Sequence, residues 1–296
     1  MPLLSIIIPV YKAEQTIART IRSLHCISFE SKKDVEVIIV NDGSPDKSMN
    51  IVSGLLADLA PMHVVIVDQK NKGLAGARNA GLAACKGSHI FFLDADDELA
   101  IDPIPYILEY CDASAVAFPV HYCRDGSLKQ LRRPHPINSL NHMNVFSLGN
   151  ALAASSIIFR KSQLHVGFDE SFQRLEDWLF WMMNPRIFEK LAIIPKIPSA
   201  LIHIHGTNMT SDFHTMGIYR QKAVEAVMNS YGTTLTTKQR NNLHIQAAIG
   251  AVFQGKHPAF RTFFRFPCNV RLYSKLLVYT VLKKDPARIS IYRRSA

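Results

Sequence analysis

The sequence predicts an α/β fold: a mostly parallel sheet flanked by helices, with a helical extension at the C-terminal end. Three observations predict it. Over roughly the first hundred residues, continuous β-branched runs alternate with apolar stripes at helical spacing. Those runs lack the in-out alternation of a half-wetted strand, so they read as strands buried on both faces. From Asp212 onward the apolar spacing turns helical.

The elements follow in order. LSIIIPVY (4–11) is a first buried strand, and Glu14 to Leu24 carries a helix stripe at Ile17, Ile21 and Leu24. VEVIIVND (35–42) is a second strand, ending on Asn41 and Asp42. Ser48 to Leu59 is a helix, HVVIVDQ (63–69) a third strand and the Ala-rich Leu74 to Ala84 another helix. SHIFFLDADD (88–97) is a fourth strand that runs into acid. AVAFPVHY (115–122) reads as one further strand, and the polar, proline-containing 125–141 as a surface loop. IIFRKSQL (157–164) and LAIIPKIPSALIHIH (191–205) read as strand pieces between loops.

Composition excludes several classes. The 296 residues are 48% hydrophobic and 20% charged, an ordinary globular balance. Five scattered cysteines without CxxC spacing predict reduced thiols, a cytoplasmic setting and no zinc site. No apolar run reaches the length of a transmembrane helix, and the start lacks a basic leader. The net charge of +10 leaves three partner classes: nucleic acid, an anionic membrane face, or phosphorylated small molecules.

In a parallel sheet, ligands lie beyond the carboxyl ends of the strands. Three such ends carry polar chemistry: PVY at 9–11, NDGS at 41–44 and DADD at 94–97. Asp94 and Asp96 are two apart, so on a strand end they address one side. Oxygen ligands without thiolates suit Mg²⁺ or Mn²⁺; the alternative is a solvated acidic turn. Asp42 is placed to accept from a ribose or a base, or else to cap the helix after Pro45. Lys72 and Arg78 stand in NKGLAGARNAGL, ready for phosphate or for the acids, in neither a GxGxxG nor a P-loop pattern. Glu176 and Asp177 sit in an apolar aromatic segment, where a carboxylate is costly unless used; a helix N-terminus is the plainer reading. His203 and His205 alternate in IHIHGTN, with metal contact considered for His205.

Six segments in order, SIIIPVYKAEQTIARTIRSL, EVIIVNDGSPDKS, NKGLAGARNAGL, FFLDADDEL, GFDESFQRLEDWLFW and IHIHGTNMT, resemble the family 2 glycosyltransferases, inverting enzymes of the GT-A (Rossmann-like) fold. The resemblance runs from about Leu4 to Thr210. It implies a catalytic domain over 1–210 and a helical, basic extension over 211–296. It implies a nucleotide-diphosphate sugar as donor, with UDP the default, and a glycan or lipid-linked hydroxyl acceptor in cell-surface polysaccharide or glycolipid synthesis. By the same resemblance, Pro9, Val10 and Tyr11 line a nucleobase pocket and Asp42 holds base or ribose. Asp94 and Asp96 serve the donor and Arg78 helps hold this acidic edge; Asp96 and His205 serve a divalent Mn²⁺ or Mg²⁺, and Asp177 is the catalytic base. Lys72, from its place in the loop, is counted with the donor-binding residues. Two departures touch the acceptor side: His203 stands where the family often has Arg, and Gly167 lacks a second glycine beside it.

Two rivals differ in class. A nucleotidyltransferase making sugar nucleotides needs a basic loop near the N-terminus, which Tyr11-Lys12-Ala13 does not supply. A non-catalytic nucleotide-sugar-binding module has no use for intact Asp94, Asp96 and Asp177. Residues 256–296 mix aromatics with Arg and Lys, a pattern suited to an anionic bilayer surface or to a helical extension packed on the catalytic domain with a solvated basic face. No nucleic-acid motif accompanies the charge.

Overall fold

The computed structural model describes residues 1–124, 127–133, 142–204 and 212–256. In chain order the elements are β1 (Leu4–Val10), α1 (Ile17–Ser23), α2 (Phe29–Lys32), β2 (Val35–Asn41), α3 (Ser48–Leu55), β3 (His63–Asp68) and α4 (Gly73–Ala84). Next come β4 (His89–Phe92), β5 (Glu98–Leu99), α5 (Ile104–Glu109), β6 (Ala115–Ala117), β7 (Val120–Arg124) and β8 (Ser127–Arg132). Then follow α6 (His142–Phe146), β9 (Ile157–Arg160), α7 (Glu176–Met183), β10 (Leu191–Ile193), β11 (Ala200–Ile204), α8 (Phe213–Tyr231) and α9 (Thr237–Phe253).

Seven strands form the main sheet in the order β10-β6-β9-β4-β1-β2-β3. All neighbours are parallel except β9, which runs antiparallel to β4 and β6. The chain lays β2 and β3 to one side of β1 and β4 to the other, so connections diverge between β1 and β4. That is where a doubly wound sheet opens a crevice beyond its strand ends. A second sheet has the order β5-β11-β7-β8.

Several expectations are corrected. The stretch 115–122 is two strands in different sheets, parted at Phe118-Pro119, because proline cannot donate to a ladder. Part of the loop assigned to 125–141 is β8, paired antiparallel with β7. The third strand lies on the sheet edge and is half-exposed. The fourth ends at Phe92, so the acids leave on a turn, not on a strand.

Chain contacts divide the molecule into two units, 1–142 with 152–205, and 143–151 with 206–296. In the first, the buried core includes all of β1, most of β2, and Phe91 and Leu93. Gly81 lets α4 lie against β1, since a Cβ there would come within 2.3 Å of Ile7 Cγ2. An aromatic cluster joins Phe92, Phe159, Phe168, Phe180 and Trp181, with Phe168 stacked on Phe180 at 4.1 Å.

The fully buried Asn184 ends α7 with a complete set of bonds. Its Oδ1 accepts from the backbone N–H of His165 and Val166, and its Nδ2 donates to the carbonyls of Val166 and Phe180. Asn184→Ala removes four hydrogen bonds made by a fully buried side chain, so a loss of about 2–4 kcal/mol is expected in urea denaturation. A loss within experimental error contradicts that assignment.

In the second unit, α8 and α9 cross closely enough that a Cβ on Gly217 would meet the Gly250 carbonyl oxygen at 2.4 Å. A capping box between Thr236 and Gln239 starts α9. Gln239 also donates to Asn144, and Asn242 to Ser147, which ties the segment 143–151 to α9. The helical unit therefore draws in residues that the sequence boundary at 211 assigned elsewhere.

Candidate active site

At the carboxyl end of β1 the chain turns out through Tyr11 and Lys12. Pro9 and Val10 are buried within the sheet, and of the three residues only Tyr11 is substantially exposed. Lys12 adopts a left-handed φ of 51°, an uncommon conformation for a side chain-bearing residue. Three successive backbone N–H groups hold the turn in place. Lys12 donates to Ser44 Oγ, Ala13 to Ser48 Oγ and Glu14 to Asp46 Oδ2. Asp46 accepts in turn from Ser44 and Ser48, and these hydrogen bonds, acting against burial, bring its carboxyl down to about 2. Reading NDGSPDKS for ligand contacts missed this work of Ser44, Asp46 and Ser48. The S-x-D-x-S spacing was its only signal.

Asp42 follows β2 and is buried. Its Oδ1 accepts from Gln69 Nε2 at 2.7 Å and Lys72 N at 2.8 Å, and its Oδ2 from Gly73 N at 2.9 Å. The carboxylate thus caps the start of α4, not the helix after Pro45, and satisfies N–H groups that a helix N-terminus leaves open. The neighbouring Asn41 side chain turns the chain instead, its Oδ1 accepting from Ser44 N three residues on. Lys72 enters the site through its backbone; its side chain is exposed.

The acids after β4 divide their roles. Asp97 N donates to Asp94 O and closes a turn. Asp94, one-third exposed, accepts from Arg78 Nη2 at 2.8 Å. Asp96 is half-buried. Asp97 is buried and accepts from the backbone N–H of His203 on β11. Burial, then the charges of Asp96 and Asp94, push its carboxyl well above the usual range. Glu98 Oε1 lies 2.6 Å from His203 Nε2 and 3.5 Å from Arg19 Nε. A buried strand therefore runs into four carboxylates because two of them stitch the acidic turn to β11 and α1, leaving Asp94 and Asp96 on the more open side.

Arg78 is the hub. It is 2% exposed, donates from Nη1 to Glu176 Oε1 at 2.8 Å, and lies over the rings of Phe92 and Phe168. Burial opposes its charge, but Asp94, Glu176 and Asp177 together hold it firmly protonated. Next to it on α4, Asn79 clasps the loop before α7. Its Oδ1 accepts from Phe168 N, while its Nδ2 donates to Phe168 O and Glu170. The entry to α7 is strained, with Leu175 at a left-handed φ of 61°. The next two residues are Glu176, buried, and Asp177, half-buried, whose Oδ1 accepts from Trp178 N. Strain of this kind, at a bulky residue beside two acids, is common at functional sites.

Burial raises the Glu176 carboxyl to about 7, with Arg78 opposing and Asp177 adding to the rise. A carboxyl raised in the folded state binds its proton more tightly than in the unfolded chain. Its contribution is full below the unfolded value and is lost as pH rises through the folded one. Wild type is therefore expected to lose stability relative to Glu176→Gln as pH goes from about 5 to about 8. Parallel denaturation midpoints across that range contradict the assignment.

His205 lies outside the described residues, as does the basic tail from 257. Among the described residues, no group of three or more His, Cys, Asp or Glu is placed to hold a metal. No described helix is long and apolar enough to cross a membrane.

Comparison with known proteins identifies the family. The family model for glycosyl transferase family 2 matches residues 5–175. Among curated relatives, a teichoic acid poly(glycerol phosphate) polymerase of Staphylococcus epidermidis is 30% identical over 66% of this chain and 28% of its own length. The amylovoran biosynthesis glycosyltransferase AmsB of Erwinia amylovora is 28% identical over 68% of this chain and 69% of its own. The chain spans less than half the length of the first curated relatives it matches. Of solved structures, S. aureus TarS (residues 1–349) with UDP-GlcNAc aligns at a TM-score of 0.61 and 18% identity, covering 99% of this chain and 92% of that one. The mannosyltransferase PcManGT of Pyrobaculum calidifontis, with GDP-Man and Mn²⁺, aligns at 0.57 and 13%, covering 98% and 86%. These likenesses show the fold, a GT-A α/β architecture, and the family model spans more than half of the residues: the chain belongs to glycosyl transferase family 2.

Proposed function

We propose that the chain transfers a sugar with inversion from a nucleotide-diphosphate donor, UDP by default, to a hydroxyl of a glycan or lipid-linked acceptor in cell-surface polysaccharide synthesis. One observation carries this. Arg78 ties two acidic groups of different origin to one sheet edge, Asp94 after β4 and Glu176-Asp177 at the start of α7. An acceptor hydroxyl must lose a proton as it attacks the anomeric carbon, and a carboxylate opposite the leaving diphosphate takes it in a single displacement. Asp177 is assigned that role. Tyr11 and Asp42 are assigned to the nucleoside. TarS with UDP-GlcNAc, PcManGT with GDP-Man, and the teichoic acid and amylovoran relatives support the donor and pathway class.

The donor set fits a divalent cation. Asp94 has one oxygen committed to Arg78, which leaves the half-buried Asp96 as the chief carboxylate. One or two carboxylates, with substrate phosphates and water completing the shell, suit Mg²⁺ or Mn²⁺. The bound cation would offset charge growing on the diphosphate. Asp96 is assigned to hold it, with His205 proposed alongside.

Thermal unfolding with UDP, GDP, CDP and dTDP, each with and without Mn²⁺, tests the reading. A ligand at a hundred times its Kd stabilises by about 2.7 kcal/mol. One nucleotide is expected to raise the Tm, and only with metal. No response to any pairing overturns the donor assignment.

A further inference from the structure

The helix α1 is matched side chain by side chain to the backbone of the acidic turn. Arg19 Nη2 donates to Asp96 O at 2.8 Å, and the buried Thr20 Oγ1 donates to Ala95 O at 2.9 Å. One turn on, Ser23 Oγ accepts from Leu99 N at 2.9 Å. These bonds hold the peptide units on both sides of the Asp96 side chain. Arg19 does more, because its Nε faces Glu98 at 3.5 Å and the same Glu98 oxygen meets His203 on β11. One guanidinium thus links the carbonyl of Asp96 to the end of a strand in the second sheet.

We propose that Arg19 is a positioning residue for Asp96, holding the acidic turn in its cation-ready shape before any ligand arrives. The inference rests on the donor reading above. The physical need is plain. Asp94, Asp96, Asp97 and Glu98 crowd four carboxyl groups into five residues, and repulsion among the charged ones favours an opened turn. A ligand group that must be gathered on binding weakens affinity by the cost of ordering it. Arg19 supplies one hydrogen bond to the Asp96 carbonyl and, from the same planar group, an ion-pair contact to Glu98, a pairing that a lysine reproduces only in part.

The sign of the effect separates this role from a purely electrostatic one. A cation beside a metal site repels the metal, so if charge alone mattered, removing Arg19 would tighten binding. Positioning predicts the reverse.

The test is calorimetric titration of Mn²⁺ into the protein with each of UDP, GDP, CDP and dTDP, for wild type, Arg19→Ala, Arg19→Lys and Asp96→Asn, alongside melting of the ligand-free proteins. Arg19→Ala is expected to weaken metal-nucleotide binding about tenfold, as for loss of one charged hydrogen bond. Arg19→Lys is expected to recover part of that affinity, and Asp96→Asn to lose the metal response. If wild type binds and Arg19→Ala binds as tightly or more tightly, the positioning role is overturned, whatever its ligand-free Tm. If wild type binds no pairing at all, the donor reading fails and takes this inference with it.

Discussion

Asp177→Asn is expected to lower kcat by about 10²–10⁴-fold, the usual share of a general base, while donor binding stays near wild type. The substitution is nearly isosteric. An Asn Oδ1 still accepts from Trp178 N, so the first turn of α7 keeps its bond. What it loses is the capacity to take a proton, the role proposed for Asp177. Steady-state kinetics with a matched donor and acceptor, together with the nucleotide melting assay, check the prediction. Turnover within a few-fold of wild type, in a variant that still binds nucleotide, would remove the base assignment. The strained Leu175 just before the acids suggests why the position is exacting: the backbone leaves its preferred region where α7 begins, and the Glu176-Asp177 pair starts from that bend.

The second large effect is on stability. Arg78→Met keeps most of the volume and loses the guanidinium that serves both Asp94 and Glu176. Breaking a buried ion pair from one side costs about 3–5 kcal/mol, because the other group is left buried without its charged partner. Glu176 is the more deeply buried of the two acids, so it bears most of the loss. Adding Glu176→Gln to Arg78→Met is therefore expected to restore part of the stability, a coupling that a double-mutant cycle measures directly. Urea denaturation of the two single variants and the double decides it. An Arg78→Met protein within about 1 kcal/mol of wild type would mean that the hub is not structural. The Asp94 carboxylate also loses its partner, so the metal-dependent nucleotide response should weaken in the same variant.

Much of the fold was legible because its signals are local. The runs at 4–11 and 35–42 are too apolar to be anything but strands buried on both faces, and β1 and β2 take those places. The acids at 94–97, the pair at 176–177 and Arg78 stood out because charge next to apolar sequence demands a partner or a use. Other features depend on pairs that no local pattern reports. The Phe118-Pro119 step looked like the middle of one strand, yet it passes the chain between sheets. Residues 127–132 looked like polar loop, and become strand only because β7 offers an edge.

The amino-acid sequence by itself determined the α/β class, the order of the first strands and helices, and which acidic and basic side chains had to be explained. Those follow from burial periodicity and from the cost of desolvating charge, which act over a few residues. Only the tertiary structure decided how the charges are partnered. It gave Asp42 to the start of α4, Asp97 to β11, and Glu176 to an arginine 98 positions earlier. Hydrogen bonds select partners by distance and angle, and those are set by how strands and helices pack, not by their separation along the chain.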